Sequence, residues 1–161
     1  MKQKILTIVY SICAFGIGLG VGATAVANIL SKIIEEYKKS SDKNLRLFQL
    51  TSQWLRLRQE GKSINNYFEK NDYRNIAIYG KGSIGEAVAR EMLNSNITVK
   101  YFIDQKADKD SDGFVVSPNS ELEEVDVIVV TPILSYGEIK QQLIKKVNCP
   151  IISIEDVLYE V

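Results

Sequence analysis

Six consecutive residues, Gly80-Lys81-Gly82-Ser83-Ile84-Gly85, spell G-x-G-x-x-G, and their types and spacing point to anion binding rather than bond making. In such a loop the first glycine permits a tight turn. The second leaves no side chain between the backbone and a pyrophosphate, and the third lets a helix pack close to the preceding strand. The helix that follows offers N–H groups without intrahelical partners, and its dipole favours negative charge at that end. Taken alone the motif is weak, so its flanks matter. Asn75 to Tyr79 (NIAIY) reads as a buried parallel strand leading in, and Glu86 to Leu93 as a helix leading out. Thr98 to Ile103 (TVKYFI) reads as a second strand that ends at Asp104, 19 residues after Gly85. That lies near the offset of about 20 residues at which an acid binds ribose hydroxyls, and an acid there favours a free 2′-hydroxyl over a 2′-phosphate.

A parallel sheet is needed to bring these residues together. Phe114 to Val116 reads as a short third strand, Asp126 to Thr131 (DVIVVT) as a buried fourth, Ser135 to Lys146 as a helix, and Pro150 to Ile154 as a fifth strand. The fold class is therefore α/β, a Rossmann-like parallel sheet of about five strands in the order 3-2-1-4-5. In that order the chain reverses direction across the sheet between strands one and four. Gly80 to Gly85, Asp104 and the pair Thr131-Pro132 then converge at the carboxyl edge, and all of them are candidate nucleotide-binding residues. Segment 75–161 suffices for such a half-fold and leaves no room within it for a separate substrate domain.

Two amphipathic helices are expected ahead of the sheet, over residues 44–74. Leu47, Leu50, Trp54 and Leu57 recur at three- and four-residue steps, with Gly61 as a stop. Ser63 can cap a second helix over Ile64 to Lys70 in which Tyr67 and Phe68 pack inward. Residues 32–43 read as a polar linker. Residues 1–31 hold a run of 27 uncharged residues, Ile5 to Ser31, which as a helix is long enough to cross a hydrocarbon core of about 30 Å with tilt. The competing reading is a cleaved secretory signal with Ala25-Val26-Ala27 as the cleavage site. Gly16, Gly18, Gly20 and Gly22 form two overlapping G-x-x-x-G pairs through which membrane helices could self-associate. Lys32, Lys38, Lys39, Lys43 and Arg46 outnumber Lys2 and Lys4 across the run, which favours a single-pass protein with its C-terminal domain in the cytoplasm.

Composition narrows the functions. The 20 basic and 20 acidic side chains cancel, but residues 32–74 hold ten basic and six acidic (10 − 6 = +4) and residues 75–161 eight and fourteen (8 − 14 = −6). An acidic globular half argues against a nucleic-acid partner. The absence of histidine excludes imidazole triads and histidine-ligated metals. No metal is expected. Asp108-Lys109-Asp110-Ser111-Asp112-Gly113 matches the start of an EF-hand loop, but Asn119 stands where the bidentate glutamate belongs. Tyr136 and Lys140 spell Y-x-x-x-K, the acid/base pair of short-chain dehydrogenases, but fall too early in the chain for that family. Cys13 and Cys149 are poor disulfide candidates, since the first lies inside the apolar run.

The stretch from Trp54 to Gly61, with Tyr67, IAIYGKGSIG, YFID, DVIVVTP and CPIISIEDVLYEV, resembles the small Rossmann-type nucleotide-binding domains of bacterial surface-polysaccharide and glycan biosynthesis. It is more distantly similar to the N-terminal domain of bacterial sugar acetyltransferases. The resemblance covers roughly Leu47 to Val161 and is most specific at the glycine loop. It implies that Gly80, Gly82 and Gly85 lie near the phosphates of a nucleotide sugar and Asp104 near the nucleoside. Those acetyltransferases also carry a left-handed β-helix and a histidine base, which this chain lacks, so a binding module is implied more than an enzyme. The expected function is a membrane-anchored module that binds NAD or a UDP-sugar and serves glycan-synthesis enzymes. The alternatives are a small NAD-dependent oxidoreductase or sugar-modifying enzyme completed by a partner, and an anchored adaptor that binds no ligand.

Overall fold

In the computed structural model the described residues are 2–107 and 114–161, and the side chains described in the first helix are those of residue 7 and of residues 26 onward. The chain forms two compact units, Met1–Leu45 and Arg46–Val161. The expected membrane span falls mostly on side chains outside the described residues. Among the described residues no helix is long and apolar enough to cross a membrane.

Helix α1 runs over Lys2–Gln59. The amphipathic helix expected to begin at Asn44 is thus continuous with the polar stretch 32–43 before it, a correction with a simple cause. Ser40, Ser41 and Asp42 are weak helix formers but not breakers, and the nearest glycines are Gly22 and Gly61. Gly61 does end the helix, in the left-handed conformation at φ +74°, while the Lys62 N–H returns to the Leu57 carbonyl at 2.9 Å. Helix α2, Asn65–Lys70, starts one residue later than expected. Ile64 occupies its cap position without a side-chain bond, and Ser63 Oγ accepts from Asn65 N–H at 3.2 Å.

In the second unit, β1 (Asn75–Tyr79), α3 (Ser83–Met92) and β2 (Thr98–Ile103) are followed by β3 (Val115–Val116) and β4 (Val127–Val130). A 3-10 turn at Ile133–Ser135, α4 (Tyr136–Leu143), β5 (Ile151–Ser153) and α5 (Ile154–Glu160) complete it. All strand pairings are parallel, and the order is β3-β2-β1-β4-β5, as the sequence reading expected. Several elements are shorter than their apolar runs suggested. Strand β3 begins after Phe114, β4 omits Asp126 and Thr131, and the helix expected over Ser135 to Lys146 shortens to α4, with Ser135 closing the 3-10 turn before it.

Period-two alternation gives the sheet two apolar faces. Ile76 and Ile78 point with Phe102, Val127 and Val129 toward a layer made by Leu50, Trp54 and Leu57 of α1 together with α2, α3 and α5. Ala77 and Tyr79 point the other way with Tyr101, Ile103, Ile128 and Val130, toward Ile139 and Leu143 of α4. The crossover from β3 to β4 carries no helix. At the amino edge of the sheet, Asp126 accepts from the N–H groups of Asn75 at 2.6 Å and Arg74 at 2.7 Å, which holds its carboxyl below the usual range.

Candidate functional site

Gly80 ends β1 at φ +97°, and its N–H donates to the Ile103 carbonyl at 2.8 Å. A side chain is excluded twice over. The backbone conformation disfavours one, and a Cβ would sit 2.7 Å from Thr131 Oγ1 and 3.1 Å from the Pro132 ring. Gly85 is buried in the first turn of α3, where a Cβ would collide with the Gly80 carbonyl oxygen. These two glycines are required by the fold itself.

Gly82 is different. It occupies the cap position of α3 in an extended conformation, φ −95° and ψ −175°, that any residue adopts. A Cβ there meets nothing within 4 Å, and no side chain caps the helix. Ser83 is exposed at the start of α3, and Ile84 packs against the core layer. The first N–H groups of the helix therefore open outward beside a residue that leaves space in front of them.

Asp104, just past β2, reaches the same loop. Its Oδ2 accepts from Lys81 N–H at 2.8 Å and its Oδ1 from Lys106 N–H at 2.8 Å. Each oxygen retains a lone pair, so the carboxylate both fixes the loop and can accept a ligand hydroxyl. Thr131 is 7% exposed, and its hydroxyl donates to the carbonyls of Tyr79 at 3.0 Å and Gly80 at 3.3 Å. Its hydroxyl proton is thus committed to the loop. Pro132 lines the cleft beside it.

That cleft, of about 320 Å³, sits at the carboxyl ends of β1, β2 and β4. Gly80, Asp104 and Lys106 line it on one side and Pro132, Glu138 and Gln142 on the other, with Tyr79 also contributing. It thus unites Gly80, Asp104 and Pro132 from the expected set, whereas Lys81 to Gly85 and Thr131 are not among its lining residues. Two larger clefts, of about 650 and 550 Å³, lie along α3 and β2 and around Asp126, away from the glycine loop.

Sequence reasoning did not single out Tyr79, Lys106, Glu138 or Gln142. The signal for Tyr79 was its place as the last strand residue before Gly80, two positions from Ala77 on the α4 face. Glu138 and Gln142 are four apart on α4 and so share one helix face. Tyr136 and Lys140 do meet, Nζ to Oη at 3.2 Å, but the phenol donates to the Ile151 carbonyl at 2.9 Å and serves to tie α4 to β5. The EF-hand-like run at 108–113 lies outside the described residues.

Chemically, this arrangement offers main-chain N–H groups for an anion and carboxylates for hydroxyls. No curated protein and no solved structure matches the chain. Residues 72–152, half of the chain and the span of the sheet from just before β1 into β5, match the family described as C2185-like, N-terminal. This chain belongs to the C2185-like N-terminal family.

Proposed function

We propose that this protein is a membrane-anchored module that binds a nucleotide sugar or a dinucleotide at the carboxyl edge of its sheet. It would serve as an accessory subunit for enzymes of bacterial envelope-glycan synthesis. The observation that carries the ligand part is the division of labour among the glycines. Gly80 and Gly85 are needed by the fold, whereas Gly82 stands at an uncapped helix N-terminus with free space before it. A glycine that the fold does not require is explained by close approach of a pyrophosphate. Asp104 stands where ribose hydroxyls would lie, and the site falls at the switch point between β1 and β4.

The anchor rests on the uncharged run Ile5 to Ser31, where Val26, Ile29 and Leu30 are exposed, and on the exposed Ile33, Ile34 and Tyr37 that follow it. The lysines that follow the run support a cytoplasmic second unit. The glycan context rests on resemblance alone.

Calorimetric titration of the full chain with NAD, NADH and uridine-diphosphate sugars, repeated on Gly82→Asp and Asp104→Ala, tests the reading. Binding of one ligand class, weakened in both variants, is expected. No heat from any of these ligands with folded wild-type protein would leave only an anchored adaptor. Nicotinamide turnover lost in Gly82→Asp would instead favour the oxidoreductase.

A further inference from the structure

Tyr79 lines the cleft beside the glycine loop and carries a polar group that the protein leaves unsatisfied. Tyr79 is 4% exposed, and its buried hydroxyl has no hydrogen-bond partner. Asn65 Oδ1 is also buried without a partner, but the other tyrosines packed on this face of the sheet are bonded. Tyr101, on the adjacent strand and the same face, donates to the Glu123 carbonyl at 2.6 Å. Tyr136, packed against that face from α4, donates to the Ile151 carbonyl. A buried hydroxyl without a partner loses its hydration and gains nothing in return, and phenylalanine would fill the same volume without that loss. A tyrosine at this position is therefore accounted for by a partner that arrives from outside.

We infer that Tyr79 is a specificity-determining residue, its hydroxyl bonding to the half of the nucleotide that lies beyond the diphosphate. This rests on the nucleotide reading given above. The proposed placement of the ligand and the lining of the cleft together locate that half. The diphosphate is assigned to the N-terminus of α3, and the nucleoside to Asp104 at the end of β2. The remaining direction crosses the switch point toward β4 and α4, where Tyr79, Pro132, Glu138 and Gln142 line the cleft. A carboxylate, a primary amide and a phenol hydroxyl are groups that pair with hydroxyls. The ligand chemistry that fits is a nucleoside diphosphate carrying a hydroxyl-rich group on its outer phosphate.

The test compares wild-type full chain with Tyr79→Phe, using UDP, UDP-glucose, ADP, ADP-ribose and NAD as probes in calorimetry. Wild type should bind one of the extended nucleotides more tightly than its bare diphosphate. In Tyr79→Phe that advantage should shrink about tenfold, the size expected for one buried hydrogen bond, while UDP and ADP bind as before. UDP-glucose, ADP-ribose and NAD separate a hexose, a bare ribose and a nicotinamide riboside as the outer group. Without ligand the variant should melt at or above the wild-type temperature. Equal affinity of wild type and variant for the extended nucleotide would overturn the role of Tyr79 with the nucleotide site intact. So would an equal loss for the bare diphosphates, or a lower melting temperature of the ligand-free variant. Absence of all binding in wild type would instead remove the nucleotide reading itself.

Discussion

The two ends of helix α3 are built on opposite principles. Near its last turn, the Glu91 carboxylate accepts from Trp54 Nε1 at 2.7 Å, Ser63 Oγ at 2.7 Å, Ile64 N–H at 3.2 Å and Arg58 at 3.2 Å. Its side chain is 11% exposed, and the four donors come from the end of α1 and the turn that enters α2. A carboxylate near a helix C-terminus is unfavourable by about 0.3–1 kcal/mol, and these donors offset that cost. At the other end nothing comparable exists. Gly82 caps the helix without a side-chain bond, and its side faces open space. One end joins elements of the fold through these four bonds. The other end keeps its donors available, which is what binding an anion requires.

The largest test of this contrast is Gly85→Ala. Because its Cβ would land on the Gly80 carbonyl, the loop and helix must separate, at a cost of about 3 kcal/mol by urea denaturation. A loss below about 1 kcal/mol would mean that the open end is not held by close packing. Next comes Glu91→Ala, which strands the Trp54 and Ile64 donors in a half-buried setting. A loss of about 2 kcal/mol is expected, with a shift in Trp54 fluorescence and no change in ligand affinity. Loss of binding without loss of stability would erase the distinction between the two ends.

A pair of tyrosines repeats the contrast on the α4 face. Burial pushes the Tyr101 hydroxyl pKa up to about 12 from the usual 10.0. The folded state holds this proton more tightly than the unfolded state. Stability is therefore unaffected below about pH 10 and falls as pH rises toward about 12, by up to about 2 kcal/mol. Alkaline denaturation followed by phenolate absorbance should show this, and Tyr101→Phe should blunt it. Tyr101→Phe should also cost about 1 kcal/mol at neutral pH, where Tyr79→Phe costs nothing. Smallest in stability is Gly82→Asp, expected within a few tenths of a kcal/mol of wild type, because aspartate is a good cap residue and meets no neighbour.

Much of the open end was legible in the sequence, since backbone chemistry writes itself into residue type. Gly80, Gly85 and Asp104 are constrained by turn, contact and offset, and the β-branched runs NIAIY and DVIVVT lead to the strand order. The closed end was not legible. Glu91 lies 37 residues from Trp54 and 28 from Ser63, and no local pattern announces a carboxylate shared at that range. The unbroken passage of α1 through residues 32–43 was missed because polarity was read as a boundary where only glycine or proline would have imposed one. Helix α5 had a visible signal in Ser153, whose Oγ accepts from Glu155 N–H at 3.2 Å, and in Ile154, Val157 and Leu158. Ile154, the first residue of α5, was read as the end of the fifth strand, and no helix was expected after it. Tyr79 was hidden because its chemistry lies in a missing bond, which only the packing around it exposes.

The most direct test is the melting temperature of wild type and Gly82→Asp, each without ligand and with saturating NAD or UDP-glucose. A ligand at a hundred times its Kd stabilises the folded state by about 2.7 kcal/mol, which raises the melting temperature on the order of 10 °C. The account predicts that one of the two ligands produces this rise in wild type. It also predicts that Gly82→Asp melts like wild type when empty and gains nothing from either ligand. A rise of the same size in both proteins, or in neither, would contradict it.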